Sequence, residues 1–215
     1  MRKTKRPSTP PAEQKIVLHG ISWETYESLL ADHEDKSAPR FTYDGGAMEI
    51  MSPSPEHEMT NRRIASLILA IMEETGVEAE DFGSTTFRRE DLERGFEPDT
   101  CLYLEENAER VRGKKRLDLS IDPPPDLVLE IDITSPSMNK FPIYARLGVP
   151  EVWRYDGRRL EISRLEGEEY KEVPESATLP GFTSDILSKL VEEGGAMKRF
   201  EWIKKVREAT RKEAR

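Results

Sequence analysis

Leu127-Val128-Leu129-Glu130-Ile131-Asp132-Ile133 is the stretch on which the reading of this chain turns: an apolar run broken by two carboxylates, directly after the stop imposed by Pro123-Pro124-Pro125. It reads as the central strand of a sheet. Successive side chains on a strand point to opposite faces, so Glu130 and Asp132 share one face while Leu129, Ile131 and Ile133 take the other. Two acids on one face of so apolar a strand need a positive partner, because burying unpaired like charges costs several kcal/mol or forces protonation. An Arg or Lys from a neighbouring strand serves, and so does a hard divalent cation; Mg²⁺ takes one or two carboxylates and completes its shell with waters and phosphate oxygens. From Glu130 and Asp132 alone the two partners are evenly matched.

Working outward, Asp99 opens a second strand-like run, Pro98 to Leu104, and an adjacent strand would bring it beside Glu130. Its plainer reading is a turn residue after a proline, a position that Asp favours. Upstream lies the clearest helix: Ser54 caps it, Pro55 fits its first position, and Glu56 and Glu58 complement its positive end. Ile64, Leu67, Ile68, Ile71 and Met72 recur along one face until Gly76 ends it. A shorter helix over Trp23 to Asp32 follows the cap Ser22, and Arg40 to Tyr43 and Ala47 to Met51 form a hairpin across Asp44-Gly45-Gly46. Further strand-like segments fall near Glu78 to Phe82 and Thr85 to Arg88; Glu105 to Ser120 reads as a surface loop or short helical excursion.

Downstream, Pro142 and Gly148 bracket a short helix through Tyr144, and a second hairpin joins Glu151 to Tyr155 with Arg158 to Arg164. A strand near Tyr170 to Val173 and a helix over Ser184 to Val191 follow. Gly194-Gly195 is expected to break that helix before a strongly charged one, Met197 to Arg211. The fold class is α/β. The expected organisation is a basic, Pro-rich disordered arm over residues 1–14, a single domain over 15–193, and a basic C-terminal helix over 194–215.

The chain of 215 residues is 36% hydrophobic and 35% charged, with a net charge of -9 and one cysteine. A chain this long buries roughly 70% of its unfolded surface and needs no disulfide or structural metal for a core. No run approaches the ~18 apolar residues of a membrane helix, so a cytoplasmic setting without membrane contact is expected. The negative balance argues against a nucleic-acid coat held by charge alone. It leaves room for local contacts by Arg110 to Arg116 and by the segment from Lys198 to Arg215, where eight basic residues stand against three Glu. The last helix also carries Met197, Phe200, Ile203 and Val206, a stripe for its own domain or for a second copy in a homodimer.

Pro98-Asp99 followed by Glu130-Ile131-Asp132 resembles the PD-(D/E)XK nuclease signature. Met48-Glu49-Ile50-Met51-Ser52-Pro53 with Glu56-His57-Glu58, Pro124-Pro125-Asp126-Leu127-Val128-Leu129-Glu130-Ile131, Ser135-Pro136-Ser137, and Tyr144 with Gly148-Val149-Pro150-Glu151-Val152-Trp153 narrow the resemblance to the Uma family of restriction endonucleases, over about Trp23 to Arg164. The resemblance implies a restriction-endonuclease-like mixed sheet flanked by helices, Mg²⁺ or Mn²⁺ held by Asp99 and Glu130, and hydrolysis of phosphodiester bonds in DNA.

One departure stands out: the superfamily places a lysine two residues after the Glu, where this chain has Asp132. Lys140 is the candidate replacement as transition-state stabiliser, with Asp132 as a third metal ligand or as the partner of Lys140. An ordinary solvated lysine is the plainer reading of Lys140, and with it the chain becomes a nuclease-fold binding or regulatory protein of weakened turnover. His57 lies close to the core-facing stripe of its helix and is a site neighbour or a satisfied helix-end histidine; Glu58 is a weaker candidate. Asp126 is four residues from Glu130, roughly 13 Å along a strand, and goes to strand initiation. Cys101 and Trp153 are read as core. A glycosidase using Glu130 and Asp132 lacks a recognisable aromatic platform.

Overall fold

The computed structural model describes residues 13–33, 36–133 and 138–213, so the expectations for the arm before Glu13 and for Ser135-Pro136-Ser137 lie outside the described residues. Among the described residues the strands form two sheets. The first is antiparallel, in the order β1 (Gln14–His19), β3 (Ala47–Ser52), β2 (Arg40–Asp44), β6 (Arg94–Phe96), β5 (Phe87–Arg89). The second is mixed, in the order β11 (Glu169–Val173), β10 (Leu160–Glu166), β9 (Glu151–Tyr155), β8 (Leu127–Ile131), β7 (Thr100–Leu104), β4 (Ala79–Asp81). Within it β8 and β9 are parallel, and helix α4 (Phe141–Leu147) lies in the crossover between them.

Helix α1 (Trp23–Asp32) packs Tyr26 and Leu30 against Phe41, Tyr43 and Met48 of the antiparallel sheet. Helix α2 (Pro55–Thr75) begins and ends as its sequence dictates: the Ser54 hydroxyl accepts from the His57 amide at 3.1 Å, and Gly76 takes φ 76°, the left-handed turn that glycine adopts without strain. Its stripe of Ile64, Leu67, Ile68 and Ile71 is fully buried against the mixed sheet. Each such side chain contributes roughly 1.5–3 kcal/mol, so this face fixes the helix and thereby the place of its first turn. Helix α3 (Glu105–Val111) supplies the excursion expected after β7.

The central strand alternates as read. Leu127, Leu129 and Ile131 join the core under α2, while Val128 joins the core under α4, which puts Glu130 on the α4 side. Strand β8 stops at Ile131 rather than Ile133, although the Asp132 amide still donates to the Tyr155 carbonyl at 2.8 Å.

Two expectations give way to packing. Gln14 is the first residue of a strand rather than the last of an arm. Gly194-Gly195 does not end a helix: α5 runs Ser184–Ala196, and a Cβ on Gly194 would sit 2.6 Å from the Trp202 ring, so the glycine is a notch for that indole. Helix α6 (Arg199–Glu213) seats Trp202, Val206 and Thr210 in the same core, and Arg207 and Arg211 pair with Glu73 and Glu74 of α2, while Phe200 is 84% exposed. No helix among the described residues is long and apolar enough to cross a membrane.

Candidate active site

The chain leaves the antiparallel sheet at Phe96 and enters the mixed sheet at Thr100, so Pro98-Asp99 stands where one sheet passes into the other. Thr100 pairs with Leu129 in the antiparallel β7–β8 ladder, and one step back along that register sets Asp99 opposite Glu130 on the same face. Asp99 is 2% exposed. Its Oδ1 accepts from His57 Nε2 at 2.7 Å and from Arg40 Nη1; its Oδ2 accepts from the Ile131 amide at 2.7 Å. Asn61 Nδ2 donates to its backbone carbonyl at 2.8 Å. Burial opposes the charge on Asp99, but His57 and Arg40 outweigh it and hold the carboxyl below its ordinary range.

Glu130 is held from α4. Lys140 Nζ donates to Oε2 at 2.7 Å and the Tyr144 hydroxyl donates to Oε1. Burial raises the Glu130 pKa, the neighbouring Asp99 charge adds to that, and Lys140 and Tyr144 offset only part of it. Burial also works against the Lys140 ammonium, yet the Glu130 and Asp99 carboxylates raise its pKa above the usual lysine range. The lysine read from sequence as either stabiliser or surface group therefore lies beside Glu130, and Asp132 is not its partner: Asp132 Oδ1 is 3.3 Å from Lys15 Nζ.

His57 comes from the first turn of α2 and is fully buried. Its Nδ1 lies 2.6 Å from Glu13 Oε2 while Nε2 faces Asp99, so each ring nitrogen has a carboxylate. Burial alone would lower the imidazolium; the hydrogen bonds to Asp99 and Glu13 overcome it and raise the pKa to about 9. Glu58, one residue on, pairs with Arg40 Nη2. The resulting array runs Asp132, Lys15, Glu13, His57, Asp99, Arg40, Glu58, with Glu130 and Lys140 beside it.

Sequence reading brought together Asp99, Glu130, Lys140 and His57 but passed over Arg40, Glu13, Lys15 and Glu49. Arg40 and Glu49 carried a usable signal, a single charge inside the otherwise uncharged strand runs Arg40 to Tyr43 and Ala47 to Met51. Glu49 is 1% exposed and accepts from the Met138 amide at 2.9 Å. Asp126 is confirmed as a strand-end residue, accepting from the Leu104 amide at 2.8 Å and Asn107 Nδ2 at 2.9 Å. Cys101 and Trp153 are fully buried.

Each carboxylate oxygen has two lone pairs, so Asp99 Oδ2 and both Glu130 oxygens keep acceptor capacity after the bonds above. Two monodentate carboxylates with waters suit Mg²⁺ or Mn²⁺. Among the described residues no group of three or more His, Cys, Asp or Glu is arranged to hold a metal.

The chain is matched over residues 23–191 by the family model Uma2, described as "Putative restriction endonuclease". A solved structure from Anabaena variabilis ATCC 29413, described as a "putative nuclease belonging to DUF820", is similar at a TM-score of 0.55 and 16% identity, covering 80% of this chain and 99% of that one. No curated protein matches. The layered sheets and helices are those of the restriction-endonuclease-like fold, and the chain belongs to the Uma2 family.

Proposed function

We propose that this protein is a divalent-metal-dependent endonuclease that hydrolyses phosphodiester bonds in DNA, with Asp99 and Glu130 holding Mg²⁺ or Mn²⁺. The observation that best supports the reading is Lys140 Nζ at 2.7 Å from Glu130 Oε2, a cation beside one of the two proposed ligands. Restriction-endonuclease-like families generally use divalent metals, and such an ion polarises the scissile phosphate and lowers the pKa of the attacking water. This chain's own groups do the positioning. Arg40 and His57 fix the Asp99 carboxylate through Oδ1, and the Ile131 amide fixes it through Oδ2. Tyr144 orients Glu130, and the Lys140 ammonium stabilises the negative charge that grows on the phosphoryl oxygens.

Titration of Mg²⁺ and Mn²⁺ into the wild type and an Asp99→Ala, Glu130→Ala double variant, followed by plasmid nicking with the same samples, tests the reading. Metal-dependent nicking that the double variant loses supports it; equal metal binding by the two proteins removes the site. Loss of nicking in Lys140→Ala with metal and DNA binding intact separates an enzyme from a nuclease-fold binding protein.

A further inference from the structure

Beside Glu130 opens a cavity of about 270 Å³ whose mouth the proposed hydrolysis leaves unused. Two cations face it from different sheets. Lys15 comes from β1, where it pairs in register with Met51, and Arg154 comes from β9, where it pairs in register with Glu130. Asp132 continues the line of β8 between them. Its Oδ1 is 3.3 Å from Lys15 Nζ, and its charge is among those acting on the Arg154 guanidinium. Glu13 shares Lys15 at 2.9 Å, and Glu161 takes Nε and Nη2 of Arg154 at 3.2 and 2.6 Å. The Arg154 side chain is 43% exposed and that of Asp132 24%, so both reach solvent at the cleft mouth. Met51, Met138 and Phe141 supply apolar wall.

A carboxylate that pairs with Lys15 and lines the same cleft as Arg154 occupies the place that an incoming anion would take. We propose that Lys15 and Arg154 form a binding subsite for one phosphodiester group of a DNA strand next to the scissile bond, and that Asp132 fills this seat in the unliganded protein. The proposal deepens the nuclease reading, from which it takes the identity of the strand, and it assigns Asp132 to substrate rather than to metal. A phosphate offers several charged oxygens to the cations that line this cleft, and planar Arg154 suits them. The apolar wall suits the sugar and base face attached to it.

The test is fluorescence anisotropy of a labelled single-stranded oligonucleotide over a salt series, with EDTA present so that metal plays no part. Each phosphate contact on a single strand adds roughly 0.7 to the slope of log K against log salt. Lys15→Gln and Arg154→Gln are each expected to lower that slope by about 0.7 and to weaken binding several-fold. Asp132→Asn, nearly isosteric, is expected to tighten binding several-fold and to leave Mg²⁺ affinity unchanged in a separate titration. Lys171→Ala, which removes an exposed lysine paired with Glu166 on the far hairpin, controls for lost net charge.

Slopes for Lys15→Gln and Arg154→Gln equal to the control, no binding by the wild type, or weaker binding by Asp132→Asn would each overturn the subsite. Loss of Mg²⁺ binding in Asp132→Asn would overturn its assignment to substrate. Failure of the nuclease reading shows separately, as metal binding that survives Asp99→Ala, Glu130→Ala, and it leaves these metal-free slopes readable.

Discussion

Replacing Lys140 with Met removes the one cation among the described residues within hydrogen-bond reach of Glu130 and keeps most of the side-chain volume. The two side chains are 10% and 12% exposed, and their charged atoms are 2.7 Å apart. At an effective dielectric constant near 20 that separation corresponds to about 6 kcal/mol of attraction, much of it offset by the cost of burying both ions. Breaking such a pair from one side costs about 3–5 kcal/mol, because the partner is left buried and charged. Glu130→Gln strands the ammonium in the same way, whereas the double variant strands nothing, so a cycle of urea denaturations should return a coupling of about 2 kcal/mol or more. The sign with pH is also fixed. Without Lys140 the folded-state pKa of Glu130 rises further, protonation relieves the stranded charge, and the penalty of Lys140→Met shrinks as pH falls. A coupling below about 0.5 kcal/mol, the size expected of independent sites, would refute the pairing.

Three further outcomes are expected. In metal-free protein His57 contributes stability that is fully present below its unfolded value of 6.5 and is lost as pH rises through about 9. Denaturation midpoints of wild type and His57→Gln should therefore converge across that window, by an amount of order 2 kcal/mol, and parallel curves would contradict the paired imidazolium. Gly95→Ala puts a Cβ 2.6 Å from Cζ of Tyr26, a fully buried ring stacked 5.0 Å from Tyr43, and should cost about 3 kcal/mol, seen as a melting point lower by roughly 6–12 °C. Glu151 accepts hydrogen bonds from Trp153 Nε1, Ser176, Thr178 and the Ala177 amide. Glu151→Gln turns one acceptor into a donor facing donors and should cost about 2–3 kcal/mol by thermal melt; a neutral result would mean that this network is not formed in solution.

The sequence made some of this legible and hid the rest for physical reasons. Helix α2 was readable because cap, first-turn acids, apolar stripe and closing glycine all pointed the same way over 21 residues. Strand alternation put Glu130 on one face with Asp132, but that Asp99 stands opposite Glu130 depends on the pairing of β7 with β8, which alternation alone does not give. Division into two sheets was not readable, since β4, β5 and β6 are three residues each, too short to display a period. Glu13 and Lys15 escaped because their partners, His57 in α2 and Asp132 after β8, lie far along the chain, a long-range relation that local pattern does not carry. The glycine pair in α5 misled for the same reason: its cause is Trp202, on the following helix.

The stretch matched by the family leaves β1 before it and α6 after it. A fragment cut to residues 23–191 would keep Asp99, Glu130, Lys140 and His57, so it would look complete by its motifs. It would lack the carboxylate facing Nδ1 of a buried histidine, the lysine beside Asp132 and the indole in the Gly194 notch. Silence from such a fragment in an assay would describe a damaged protein rather than an inactive one. The shortest polypeptide on which this chemistry can be judged begins no later than Glu13 and runs to the end of α6.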